Sequence, residues 1–158
     1  MTPADLLLRP AVPEDAAEGG AVHLAARGAA VAAGTMPPAV HPEAEVRAWL
    51  TGRLDVDETW VAESGGAVVA YARFTPTWLD DLYVHPAHAG RGAGSALLDL
   101  VKARLPEGFG LWVFETNAPA RAFYARHGLR EQQVTDGSGN EEGAPDVEVV
   151  WAPHAGSG

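Results

Sequence analysis

Between Leu79 and Leu98 the chain carries Asp80-Asp81, a short apolar run, and then Gly90-Arg91-Gly92-Ala93-Gly94-Ser95. Two kinds of chemistry are possible there. The glycines have no Cβ atoms, so the backbone can curl tightly and press bare N–H groups against a bulky anion. Leu97, Leu98, Val101 and Leu105 follow at helical spacing, so a helix opens at the turn and aims its first amides at the same place. A strand, a glycine turn and a helix N-terminus together form a cradle suited to a pyrophosphate. Two other cradles fail on counting. The G-x-G-x-x-G pattern meets Ser95 or Leu97 where its last glycine belongs, and no Gly-Lys pair exists to end a Walker A loop.

The second chemistry belongs to the aspartates. Neighbouring strand residues point to opposite faces, so the Asp80-Asp81 pair sends at least one carboxylate toward a packed or ligand-lined side unless a bulge intervenes. Burial raises a carboxyl pKa and makes it a usable general base, whereas a solvated strand end would leave both inert.

The elements that must hold these groups follow from pattern and punctuation. Leu6 to Arg9 reads as an opening strand. A helix follows the Pro13-Glu14-Asp15 start, through Ala17, Val22, Leu24, Ala25 and Val31, although Gly19, Gly20 and Gly28 oppose it. A second helix runs from near Pro42 to Leu54 with Val46, Trp49 and Leu50 on its buried stripe. Residues 59–63 and 67–74 flank Ser64-Gly65-Gly66 as a hairpin. The strand from Leu79 to Val84, the glycine turn with its helix, and a strand from Gly110 to Glu115 make one βαβ crossover, whose two strands are expected to be parallel neighbours. Asn117 caps a further helix that Gly128 ends. Leu129 to Thr135 and Val147 to Trp151 close the sheet, the latter as an apolar edge open to a homodimer partner, and His154 to Gly158 reads as a frayed tail.

The 158 residues, 47% hydrophobic, suit one domain spanning residues 1–158. With no cysteine, disulfides and thiol chemistry are out. His85 and His88 lack a third ligand for a metal, and Asp136-Gly137-Ser138-Gly139 lacks the leading glycine of a hydrolase elbow. No basic leader or membrane-length apolar run is present, so a cytoplasmic soluble protein without membrane partners is expected. The formal charge of −10 argues against nucleic acid. It either favours a cationic small molecule by steering or serves only solubility.

The order of elements and two motifs resemble the GNAT superfamily of N-acetyltransferases over nearly the whole chain. The first is Ala89-Gly90-Arg91-Gly92-Ala93-Gly94, similar to the family's acyl-CoA loop Gln/Arg-x-x-Gly-x-Gly/Ala, with Val84-His85-Pro86 upstream. Ala89 departs from the usual Gln or Arg, and Arg91 is an electrostatic substitute. The second is Asn117-Ala118-Pro119-Ala120-Arg121-Ala122-Phe123-Tyr124 through Gly128-Leu129, similar to N-x-x-A-x-x-F-Y-x-x-x-G-F/L. Asn117 and Tyr124 fall on nearly the same side of their helix.

The resemblance implies a mixed, mostly antiparallel twisted α/β sheet of roughly seven strands with a central βαβ crossover and about four helices. It implies acetyl-CoA as cosubstrate, bound by Leu82, Tyr83, Val84, Ala89, Gly90, Arg91, Gly92, Ala93, Gly94, Ser95, Asn117 and Tyr124. Tyr124 would protonate the departing thiolate, and Asp80 and Asp81 would meet the amine, as in spermidine/spermine N-acetyltransferases. Met36, His41 and Trp49 lie where the family walls its acceptor pocket, or else are ordinary loop and core residues. Glu141, Glu142 and Asp146 either add charge there or form a solvated loop. The implied activity is acyl transfer to a primary amine of a small cationic acceptor by direct attack on the thioester. A non-catalytic acyl-CoA sensor and a protein lysine or N-terminal acetyltransferase are the alternatives.

Overall fold

The computed structural model describes residues 5–153. The expected tail at His154 to Gly158 lies outside the described residues. Seven strands form one sheet: β1 (Leu6–Pro10), β2 (Glu58–Ser64), β3 (Ala67–Thr75), β4 (Trp78–Val84), β5 (Phe109–Phe114), β6 (Arg130–Val134) and β7 (Asp146–Trp151), in the spatial order β1-β2-β3-β4-β5-β7-β6. Four helices accompany them: α1 (Ala16–Ala32), α2 (Glu43–Arg53), α3 (Ala93–Arg104) and α4 (Ala118–Arg126). This is the mixed, mostly antiparallel sheet with about four helices that the resemblance implies. Among the described residues, no helix is long and apolar enough to cross a membrane.

β4 and β5, joined through α3, are the parallel pair. They meet at one position, Trp78 opposite Gly110, and the ladder stops there. The contact requires a glycine: a Cβ on Gly110 would stand 2.5 Å from the Trp78 ring. Beyond it the strands' C-terminal halves are free of each other, which leaves unpaired main-chain groups along a crevice at the carboxyl ends of parallel strands, the usual place for a ligand in such sheets.

Helices cover both faces. On one, Leu97, Leu98 and Val101 of α3 and Tyr124 of α4 pack with Phe74, Leu79, Leu111, Val147 and Val149. On the other, Val22 of α1 and Leu50 of α2 pack with Val61, Val68 and Tyr71. Gly19 and Gly20, which oppose helix formation locally, are buried where α1 meets α2. A Cβ on Gly20 would lie 3.1 Å from Arg47 Cγ and one on Gly19 3.5 Å from Leu50 Cδ2. Tertiary contact there outweighs the ~1 kcal/mol propensity cost of each glycine.

The expected dimer edge at residues 147–151 needs correction. β7 lies between β5 and β6, with Val147 and Val149 fully buried, so its main chain is already paired on both sides. The edge on this side of the sheet is β6, exposed along its whole length and carrying Arg130 and Glu131, charges of the type that discourage pairing between edges.

Candidate active site

The crevice widens into a cleft of about 1380 Å³, lined by α1, α2, β4, β5, the start of α4 and the loop before β7. The glycine turn lies between β4 and α3. His85 follows β4, its N–H donating to Val69 O at 2.8 Å, and its Nδ1 accepts from Ala87 N at 3.1 Å to start a single 3-10 turn over Pro86–His88. The chain then reverses through Gly90 (φ 77°) and Gly92 (φ 90°), left-handed positions that exact strain from any residue with a Cβ. Gly92 is also the N-cap of α3, and its carbonyl accepts from Ala96 N at 3.0 Å. The amides of Ala93, Gly94 and Ser95 are therefore the first-turn donors that helix geometry leaves without intrahelical partners, and they stand at the positive end of the helix dipole.

Gly94 behaves differently from the expectation that all three glycines serve the curl. It is helical, and an added Cβ would make contacts of 3.4 Å with Val84 and 3.6 Å with Phe123. Ser95 offers its main chain only, since its Oγ is 3.0 Å from His127 Nε2 and ties α3 to α4. Ala89 and Arg91 are exposed.

Asn117 and Tyr124 both line the cleft. Asn117 caps α4, Oδ1 accepting from Ala120 N at 3.3 Å, which leaves its amide NH₂ for another acceptor. Tyr124 is buried against Phe123, and burial raises its pKa, with Tyr83 adding to the shift. It is a neutral phenol throughout the working pH range.

At the α1 and α2 end of the cleft, a β-bulge distributes the aspartates. β3 and β4 pair Arg73 with Asp81 and Phe74 with Leu79, so Asp80 is the extra residue. Without the bulge, Leu79 and Asp81 would share a face. With it, Leu79 joins the α3 side while Asp81 turns toward α1 and α2. Asp81 is buried, its Oδ2 accepting from Tyr71 Oη at 3.1 Å and Arg73 Nε at 2.8 Å. Arg73 also pairs with Asp57, which Arg53 holds at 2.9 and 3.0 Å, and Trp49 covers the Arg73 guanidinium at 4.6 Å. Asp80 is exposed on the cleft wall. Partial desolvation raises its carboxyl pKa, Arg73 opposing and Asp81 and Asp57 adding to the rise.

Met36 and His41 line this end as expected. Trp49, expected on the buried stripe of α2, is instead 42% exposed and stacked over Arg73 in the cleft. Glu141, Glu142 and Asp146 also line the cleft. The loop that bears them is pinned inward, with His41 Nε2 2.8 Å from Glu141, Arg27 3.7 Å from Glu142, and Asn140 donating to Ala144 O at 2.8 Å and to Asp146 at 3.2 Å. The cleft lining thus includes eight carboxylates, from Glu43, Glu45, Asp80, Asp81, Asp136, Glu141, Glu142 and Asp146. Its two arginines, Arg27 and Arg73, are both paired with carboxylates.

Sequence reasoning missed His23, Arg27, Tyr71 and Arg73. The available signal was two polar-ended residues two apart in an apolar strand, Tyr71 and Arg73, which period 2 places on one face. Among the described residues, no group of three His, Cys, Asp or Glu side chains is placed to hold a metal ion.

Known proteins share the sequence pattern and the fold. Residues 30–129 match the Acetyltransferase (GNAT) family. A mycothiol acetyltransferase of Amycolatopsis mediterranei (strain U-32) is 35% identical over 98 residues, 58% of this chain and 33% of that protein. The chain therefore spans about a third of that relative's length. The GCN5-related N-acetyltransferase from Rhodopseudomonas palustris superposes with a TM-score of 0.79 at 25% identity, covering 96% of this chain and 98% of the other. The fold of yncA from Salmonella typhimurium, solved with its cofactor acetyl-CoA, matches with a TM-score of 0.72 at 19% identity over 94% of each chain.

Proposed function

The chain belongs to the acetyltransferase (GNAT) family, and from that premise we propose that it transfers an acetyl group from acetyl-CoA to a primary amine of a small cationic acceptor. The observation that carries the acceptor class is the cleft lining, eight carboxylates against two arginines that are already paired. Such a cleft concentrates cations and repels anionic acceptors. Trp49, Met36, Val31 and Val46 supply apolar wall for the acceptor's carbon skeleton.

The chain's own groups fit the cosubstrate. The left-handed Gly90 and Gly92 and the first amides of α3 suit the pyrophosphate. The parted edges of β4 and β5 provide main-chain partners for the amide-bearing arm, and the Asn117 NH₂ borders the same path. Bound there, acetyl-CoA supplies an activated thioester, and positioning does most of the remaining work.

The acceptor must react as a neutral amine. For an amine with a pKa near ~10.4, deprotonation at pH 7 costs about 4–5 kcal/mol. Asp80, exposed on the wall, orients the ammonium group, whereas both Asp81 contacts fall on one oxygen and hold it in the wall. As the amine nitrogen bonds to the thioester carbon, the C–S bond breaks and Tyr124 donates a hydrogen bond to the departing sulfur. Burial makes Tyr124 a weak acid, so stabilising the sulfur comes before any complete proton transfer.

The test is thiol release from acetyl-CoA across polyamines, amino-acid derivatives, aminoglycosides and anionic amines. Turnover confined to cationic acceptors, and weakened by salt, supports the proposal. Measurable CoA binding with no release for any amine overturns it in favour of a non-catalytic binding module.

A further inference from the structure

Behind the cleft wall, polar groups form one continuous chain that runs from the partly exposed Arg53 through the buried Asp57, Arg73, Asp81 and Tyr71 and ends on His23 of α1. His23 Nδ1 lies 2.8 Å from Tyr71 Oη, and Tyr71 Oη lies 3.1 Å from Asp81 Oδ2. Hydrogen counting settles the direction. Asp81 Oδ2, 2.8 Å from Arg73 Nε, is an ion-paired carboxylate and can only accept. Tyr71 has one hydroxyl hydrogen and gives it to Asp81, so it must accept from His23. Nδ1 therefore carries the imidazole proton and Nε2 carries the lone pair.

The ring is held on its other sides as well, with Tyr83 at 4.7 Å and Trp49 at 6.1 Å between centroids. His23 nonetheless lines the acceptor end of the cleft with Asp80 and Trp49. Among the described residues, no buried side-chain nitrogen or oxygen lacks a partner. Nδ1 is the nitrogen engaged in the network, which makes Nε2 the one presented to the cleft. A histidine whose tautomer is fixed by a hydroxyl that in turn leans on a buried carboxylate has the logic of a base oriented by a third group.

We propose that His23 Nε2 is the base that takes the acceptor's proton, with Tyr71 and Asp81 as positioning residues that fix its tautomer. The inference rests on the acyl-transfer reading above. Nε2 first takes one proton from the bound ammonium and passes it to water; as the freed lone pair then bonds to the thioester carbon, the C–S bond breaks, its electron pair leaves on the sulfur that Tyr124 hydrogen-bonds, and the second N–H proton bonds to Nε2. The imidazolium charge is opposed by Asp81 through Tyr71, and Nε2 then returns the proton to water. The charged and titratable groups packed around the ring are Arg27 on α1, Tyr71 and Arg73 on β3, and Asp81 and Tyr83 on β4, while α2 presents Trp49. Desolvation lowers the His23 pKa, partly offset by Asp81, so the free base predominates at neutral pH.

The test is kcat at saturating cationic amine, followed from about pH 5 to about pH 9. The wild type is expected to show a rising limb below about 6.5, the ordinary histidine value. In His23→Asn the limb disappears, kcat falls by ~10²–10⁴-fold, and the residual rate climbs toward alkaline pH, while calorimetry finds CoA binding intact. Tyr71→Phe keeps the ring packing and removes the anchor, so it lowers kcat about tenfold and displaces the limb. Asp80→Asn is expected to raise KM and keep the limb. An active wild type whose limb survives in both His23→Asn and Tyr71→Phe overturns this inference alone. A limb lost only in Asp80→Asn assigns the base to Asp80. A wild type that turns over no amine overturns the acyl-transfer reading along with it.

Discussion

The glycine turn and the acceptor end of the cleft are built by opposite means. At the first, the groups proposed to face the ligand are backbone amides, set by two left-handed glycines and a helix start within a few residues of one another. At the second, they are side chains from α1, α2, β3, β4 and a loop near the C-terminus, locked by ion pairs between residues as distant as His41 and Glu141. A local backbone device is expected to tolerate side-chain change around it, such as Ala89, since main-chain amides do not depend on the neighbouring side chains. A long-range network of buried charges does not, because each member neutralises another. The difference also suits the proposed division of labour, with a cosubstrate held the same way whatever the acceptor and an acceptor read by side chains.

The strongest attack on this contrast is Arg73→Met. It leaves Asp57 and Asp81 buried without their shared cation, and urea unfolding is expected to record a loss of ~3–5 kcal/mol. A loss no larger than that of a surface substitution would mean that the acceptor end is not a coupled network.

Tyr124→Phe tests where the two regions meet. Turnover is expected to fall ~10–10³-fold with CoA affinity unchanged. Unaltered kcat with a good acceptor would remove Tyr124 from the chemistry and leave it a core residue.

The glycine turn is sharpened by a pair. Gly92→Ala forces a Cβ into a left-handed position, a strain of ~1–2 kcal/mol, and so weakens CoA binding about tenfold without moving the acceptor KM. Gly94→Ala, in helical backbone with room for a methyl, leaves CoA affinity nearly as it was. Equal effects from both would show that the turn works by loop flexibility and not by a defined left-handed geometry.

The smallest effect is expected at the clasp across the acceptor end. The hydrogen bond to Glu141, together with Glu45, raises the pKa of the exposed His41. A raised folded-state pKa means that the clasp's stabilisation is fully present below the unfolded value near ~6.5 and is lost as pH rises through the folded value. His41→Ala is therefore expected to lower Tm slightly at about pH 6 and to match the wild type at alkaline pH. A Tm difference that grows with pH would reverse the assigned sign.

Much of the fold is legible in the sequence because its signals are short-ranged. Ser64-Gly65-Gly66, Asn117 with Pro119, and the leucines behind Gly94 each specify an element through neighbours on the same turn. Gly19 and Gly20 mislead for the same reason: their use is in the approach of α2, which no local pattern reports. Trp49 is misplaced because helical periodicity assigns it to a buried stripe, while the surface it covers is Arg73 at the cleft. The last strand is mistaken for an edge because chain order does not reveal that β6, earlier in the chain, lies outside β7.

The sequence alone determined the glycine turn, the helix that opens from it, the capped helix bearing Asn117 and Tyr124, and the acidic balance of the chain, since each is a property of adjacent residues or of composition. Only the tertiary structure decided which way Asp81 faces, because a single extra residue in β4 reverses the alternation that period 2 would predict. It alone also brought His23, Tyr71 and Arg73 to that carboxylate, because hydrogen bonds between distant strands and helices depend on register and packing, which no local spacing encodes.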